Sequence, residues 1–272
     1  MYSLTHYLED LQSTGRSTFT RDEAISEIPH SDKAFSAAIT RLIKKRRLIS
    51  PRRGFYIILR PEDKKTGAPD PIRWIDPLMQ YLNLDYRVSL LRAAAFHGAS
   101  HQASMVFQVI VPKQIRSLET GSYRIQFIYQ TAPVFEKLNQ ISWLEKMKSG
   151  TGYTCVADLE LLLFDAIRYQ RKTGGLNGVA QIVYDLGKKA SPRKLAKLAE
   201  YSENTTVRRL GYLFDCFGFE RQAKVLAPFA EKAKSMKLLN PSILSLSEEL
   251  KTQDEQNNKW MLIINDTLEI DS

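Results

Sequence analysis

Residues Ser31 to Arg60 read SDKAFSAAITRLIKKRRLISPRRGFYIILR. Across the 28 positions from Lys33 to Arg60 there are nine Lys or Arg and no Asp or Glu. With Phe35 as the zero of a helical wheel and about 100° per residue, Phe35, Ala38, Ile39, Leu42 and Ile43 gather on one side. Lys33, Ala37, Thr40 and Lys44 gather on the other, flanked by Ser36 and Arg41. One face therefore suits a core, and the other carries small, hydrogen-bonding and cationic groups. That combination fits the major groove of duplex DNA, where small residues allow close approach and polar ones reach base edges and phosphates.

The residues on either side give this helix its setting. After it, Leu48 to Leu59 reads as two strands joined by a turn over Pro51 to Gly54, with Arg52 and Arg53 at the tip and Tyr56 supporting the hairpin. Before it, residues 3–13 alternate as an amphipathic helix with Leu4, Tyr7, Leu8 and Leu11 inward, stopping near Gly15. Thr20 and Glu23 have capping-box spacing. They start a short helix with Ala24, Ile25 and Ile28 buried, closed by Pro29, and Ser31 or Asp32 caps the basic helix. Helix, helix, basic helix and arginine-tipped hairpin is the order of a winged helix-turn-helix, expected over residues 1–60. Its expected DNA contacts are Lys33, Ser36, Ala37, Thr40 and Arg41 in the major groove and Lys44, Lys45, Arg52 and Arg53 on phosphates, with Tyr56 behind the wing.

The whole chain agrees with an anionic partner. It has 272 residues and a formal net charge of +9, with the apolar and charged content of a globular protein. Cys155 and Cys216 have no CxxC spacing and are expected as reduced, partly buried core thiols of an intracellular protein. Glu9 and Asp10 interrupt what a signal peptide would keep apolar. No apolar run approaches the roughly 18 residues of a membrane span, so the expectation is a cytoplasmic protein without membrane contact.

Residues 61–73, PEDKKTGAPDPIR, hold three prolines and six charges and read as a linker. The second domain is expected over 74–272, mixed α/β and mainly helical, so the fold class is α+β. It should begin with a helix over 77–82 and an alanine-rich helix over 85–98. Strands over 105–111 and 123–129 follow, likewise read from hydrophobic periodicity. Helices are then expected over 156–169, 179–186, 192–200, 205–217 and 221–233. A last strand over 259–265 is expected to return to the sheet.

Catalytic signatures are missing from this pattern. Gly174 to Gly178 lacks the Lys-Ser/Thr of a phosphate-binding loop. His97 and His101 stand four apart but without a third ligand nearby, and His6 and His30 look incidental. Asp158, Glu160 and Asp165 read as the solvated side of an amphipathic helix. No catalytic residue, metal or cofactor is expected. A second basic group, Lys188, Lys189, Arg193, Lys194, Lys197, Arg208 and Arg209, contrasts with an acidic stretch after Pro241; it suits RNA or an acidic protein, or masking by that acidic stretch.

Taken together, the basic winged helix, the segment from Tyr86 to Ala99 (YRVSLLRAAAFHGA), the VFQVIVPK strand that follows and the VRRLGYL stretch of Val207 to Leu213 resemble the AbiEi antitoxins of type IV (abortive-infection) toxin–antitoxin systems. The resemblance runs from about residue 5 to 235. It implies a phage-defence autorepressor whose N-terminal domain binds inverted repeats in its own promoter and whose C-terminal domain counters a nucleotidyltransferase toxin. One winged helix covers a small footprint, so dimeric or cooperative binding to DNA is expected, and no enzyme activity is expected. Arg208 and Arg209 are the residues singled out for the antitoxin surface, since tandem arginines suit carboxylate or phosphate. Two other classes fit the same residues: an effector-responsive transcriptional regulator, and an atypical phosphotransferase acting on the toxin.

Overall fold

The computed structural model describes residues 3–28, 31–99, 106–149, 152–243 and 255–270. In chain order the elements are α1 (Leu4–Ser13), β1 (Thr18–Thr20), α2 (Arg21–Glu27), α3 (Asp32–Lys44), β2 (Leu48–Arg52), β3 (Phe55–Ile58), α4 (Ile75–Tyr81), β4 (Arg87–Val88), α5 (Leu90–Phe96), β5 (Val106–Val111), β6 (Leu118–Thr120) and β7 (Tyr123–Tyr129). They continue with α6 (Ala132–Leu138), β8 (Leu144–Ser149), β9 (Gly152–Ala157), α7 (Leu159–Arg168), α8 (Gly175–Leu186), α9 (Pro192–Glu200), α10 (Asn204–Cys216), α11 (Glu220–Glu231), β10 (Lys237–Leu238), β11 (Glu255–Asn257) and β12 (Leu262–Ile264). The fold is mixed α/β.

The chain divides into two compact units. The first comprises Met1–Val88, Met105–Ala132 and Lys146–Val156; the second comprises Ser89–Ser104, Pro133–Glu145 and Ala157–Ser272. This division differs from one at residues 61–73. Those residues form two short 3-10 turns, Pro61–Lys64 and Pro71–Arg73, with Asp63, Ala68 and Pro71 buried. Asp63 accepts the Arg60 amide at 3.0 Å, and the Ser122 amide donates to Thr66 O at 2.7 Å. Proline and charge in the sequence marked a break in regular structure here, but the segment is packed rather than an open spacer.

Within the first unit, α1, α2, α3 and a three-stranded sheet of order β1-β3-β2 close around one apolar cluster. Leu8, Phe19, Ile28, Phe35, Leu48 and Ile58 are its centre. Side chains of this size contribute about 1.5–3 kcal/mol each on full burial. The Thr20–Glu23 capping box is formed, with both reciprocal hydrogen bonds present. The strand β1, absent from the sequence reading, pairs antiparallel with β3 from Thr18↔Ile57 to Thr20↔Phe55.

The same unit carries most of a six-stranded sheet of order β6-β7-β5-β4-β9-β8. Strands β5 and β7 run parallel from Val106↔Arg124 to Val111↔Tyr129. Both were expected as strands. The segment 85–98 was expected as one helix, and the structure corrects this to a strand and a helix, β4 and α5. The break falls where Leu90 takes a left-handed φ of 57°, a conformation that costs a non-glycine residue about 1–2 kcal/mol.

In the second unit, α7 is apolar nearly all round and buried accordingly. Its acids do not face solvent as expected; Asp158 and Asp165 are each 1% exposed. Each has a structural partner. Asp158 caps α7 by accepting the Leu161 amide at 2.9 Å and pairs with Lys194 Nζ at 2.8 Å. Glu160 accepts the Ser191 amide at 2.6 Å, and Asp165 accepts the Ser89 hydroxyl at 2.9 Å. The strand expected near residues 259–265 exists as β12, but it pairs with β10 and β11 in a separate three-stranded sheet. Just before β12, the buried Trp260 ring occupies the space a side chain on Gly211 would need, and its Nε1 donates to Asp215 at 2.6 Å.

Candidate nucleic-acid interface

Helix α3 is built by its ends and one apolar stripe. Ser31 caps it by accepting the Ala34 amide at 3.3 Å, and Asp32 stands in the first turn, where negative charge favours the helix dipole. Phe35, Ile39 and Leu42 are buried and Ala38 packs beside them. Lys33, Ser36, Ala37, Thr40, Arg41, Lys44 and Lys45 are all exposed. Thus the residues assigned to the outer face from periodicity share one solvent-facing side. Ile43, assigned to the apolar side, is 38% exposed. Among the described residues, Lys33, Arg41, Lys44 and Lys45 form no ion pair, so their charge is available to a ligand.

Arg21, at the start of α2, was missed. Its guanidinium lies over the Phe35 ring at 5.3 Å, pairs with Asp32 at 3.2 Å and reaches Ser36 Oγ at 3.5 Å. It thereby adds a cation to the edge of the α3 face and offsets the nearest acid. A single Arg in a capping sequence gives no sign of this, because the contact joins residues 15 apart through the α2–α3 fold.

The hairpin separates its two arginines. Arg53 is exposed, whereas Arg52 is partly buried and its Nη2 donates to Arg116 O at 3.1 Å. Tyr81 Oη donates to Arg53 O at 2.9 Å. Gly54 turns the hairpin at φ +82°, and a Cβ there would stand 2.6 Å from Tyr81 Oη. Tyr56 is 7% exposed, stacked on Phe19 at 5.1 Å and edge-on to Phe35 at 6.5 Å. Its place among the DNA contacts is therefore corrected: it braces the hairpin and α3 from inside the core.

The second basic group is also mixed. Lys188, Lys189, Arg193 and Lys197 are exposed. Lys194 is held by Asp158 and Glu160; burial works against its charge, but the two carboxylates outweigh it and raise its pKa. Arg208 is 2% exposed and donates to Ser235 O and Met261 O, both at 2.9 Å. Arg209 donates through Nε and Nη2 to Leu238 O. Burial pushes both guanidinium pKa values down. Arg208 is accordingly corrected from a contact surface to an internal tie, and Arg209 is largely committed to the same segment.

No group of three potential metal ligands occurs among the described residues. His97 Nε2 lies 2.9 Å from Ala157 O, while His101 and His30 fall outside the described residues. Both cysteines are free, and Cys216 is exposed rather than in the core. Among the described residues, no helix is long and apolar enough to cross a membrane.

Residues 87–216 match the family model described as the AbiEi antitoxin C-terminal domain. No curated protein matches the chain. Among solved structures, the crystal structure of the RV2827C protein from Mycobacterium tuberculosis superposes with a TM-score of 0.63, covering 95% of this chain and 90% of that one at 15% sequence identity. That likeness is one of fold alone.

Proposed function

We propose that this chain, whose residues 87–216 carry an AbiEi-type antitoxin C-terminal domain, joins that domain to a winged helix-turn-helix over residues 1–60 and acts as the antitoxin and autorepressor of a type IV toxin–antitoxin pair. The observation that carries the DNA-binding half is the two-sided α3. Its apolar stripe is sealed in a core while Lys33, Ser36, Ala37, Thr40 and Arg41 stand together in solvent. Helix order and the sheet order β1-β3-β2 support α3 as the recognition helix and β2–β3 as the wing.

In this reading α3 lies in the major groove, Lys44, Lys45 and Arg53 neutralise phosphates, and Arg52 positions the wing. One such module covers a small footprint, so two half-sites, filled by a dimer or cooperatively, supply the specificity of an operator with inverted repeats. The antitoxin domain supports a toxin as the second partner, and we assign that toxin to the nucleotidyltransferases.

The test uses the full chain, because residues 74–88 belong to the same compact unit as the winged helix. A variant with Arg41→Ala and Lys44→Ala is co-expressed with the toxin and a reporter driven by the chain's own promoter. The expected result is abolished repression with growth protection retained. Loss of protection alongside repression in a folded variant would contradict the division of labour.

A further inference from the structure

We propose that the β5–β6 loop, through Lys113 and Arg116, is a second DNA-contact element continuous with the wing, binding the phosphate backbone beside the site read by α3. This rests on the winged-helix reading and extends the duplex footprint into the stretch otherwise matched only to the antitoxin domain.

Four observations place the loop there. Arg52 at the hairpin tip donates to the backbone carbonyl of Arg116 at 3.1 Å, so the two segments meet at the end of the wing. Tyr81 fixes the neighbouring Arg53 carbonyl, so the tip is tied to two separate segments of the chain. Lys113, Gln114 and Arg116 are exposed, and neither cation has an ion-pair partner among the described residues. The loop from Pro112 to Ser117 contains no acid, and the nearest one in sequence, Glu119, faces Arg124 across the β6–β7 ladder.

Chemistry explains why this arrangement suits phosphate. Arg52 is the wing arginine the sequence offers to DNA, yet its guanidinium is engaged with the Arg116 carbonyl and its Nε is buried without a hydrogen-bond partner. By holding the Arg116 backbone it presents a second arginine at the same edge. Tyr129, 44% exposed, lines a shallow trough with Gln114 and Arg116, and amide and phenol groups are the neutral donors that commonly accompany Arg and Lys on phosphate oxygens. Such contacts position a protein without reading sequence.

The test measures the affinity of the full chain for a duplex from its own upstream region and for a shuffled duplex, between about 50 and 200 mM salt. Lys113→Ala with Arg116→Ala is expected to lower the slope of log K against log salt by nearly two, about 0.9 for each phosphate no longer neutralised. It should weaken both duplexes by the same factor with an unchanged melting temperature. A control variant removing two exposed cations of the second unit, Arg221→Ala with Lys224→Ala, is expected to keep the parent slope. Parent-like slope in the loop variant, or an equal drop in the control, overturns the proposal. If Arg41→Ala with Lys44→Ala abolishes binding while the loop variant is parent-like, only the extension fails. If the parent does not bind DNA, the winged-helix reading fails with it.

Discussion

Arg208 and Arg209 are neighbours in sequence and alike in charge, and both are drawn onto backbone carbonyls. The Arg208 guanidinium lies 2% exposed between two backbone carbonyls. Truncating it removes both of those hydrogen bonds, worth about 0.5–1.5 kcal/mol each, together with the packing of a buried side chain. Arg208→Ala is therefore expected to cost about 2–4 kcal/mol in denaturant unfolding, while an exposed cation such as Lys189→Ala should stay within about 0.5 kcal/mol. Equal, small effects at both would contradict the internal tie.

Tyr86 makes a comparable argument in pH. Burial, then its hydrogen bond to Asp76 at 2.8 Å, raises its pKa above the ordinary 10.0, and burial followed by the Asp76 charge raises Cys155 above 9.0. A raised pKa means the folded chain keeps protons the unfolded chain has released, so stability is full below the ordinary values and falls as pH climbs beyond them. Melting temperature is expected to decline from about pH 9 upward. The decline should be shallower above pH 10 in Tyr86→Phe. A melting temperature that rises between those values would refute the assignment.

At the scale of elements, the β2–β3 hairpin is fixed by one close approach. Gly54 holds φ +82° beneath Tyr81 Oη. Gly54→Ala should cost about 1–3 kcal/mol from strain and overpacking. Removing the hydroxyl with Tyr81→Phe relieves part of the crowding, so a double-mutant cycle should show a smaller Gly54→Ala cost in the Tyr81→Phe background. Strict additivity would mean the two residues do not meet.

This is also the scale at which sequence was most and least readable. Helix α3 was legible because its burial follows a 3.6-residue period and nothing distant alters it. Strand β4 was not, since its two residues continue directly into apolar α5 and the break depends on Leu90 backbone geometry and on a Ser89–Asp165 hydrogen bond spanning 76 positions. The outward face of α3 could likewise be read from pattern. The engagement of Arg52 with a backbone carbonyl could not, because its partner Arg116 lies 64 residues away.

Across the whole molecule, a net charge of +9 attracts any polyanion and so cannot by itself distinguish specific from general binding. The central claim is narrower: the exposed side of α3 reads a particular duplex. The most direct measurement is competition between the chain's own upstream duplex and a shuffled one at about 150 mM salt, for the parent and for a triple variant with Lys33, Arg41 and Lys44 changed to Ala. A parent preference on the order of 10³-fold or more is predicted. In the triple variant that preference should collapse toward the non-specific level, with the salt slope falling by about 0.9 for every phosphate that goes unneutralised. A parent that binds both duplexes equally, or a triple variant that keeps the full preference, would contradict it.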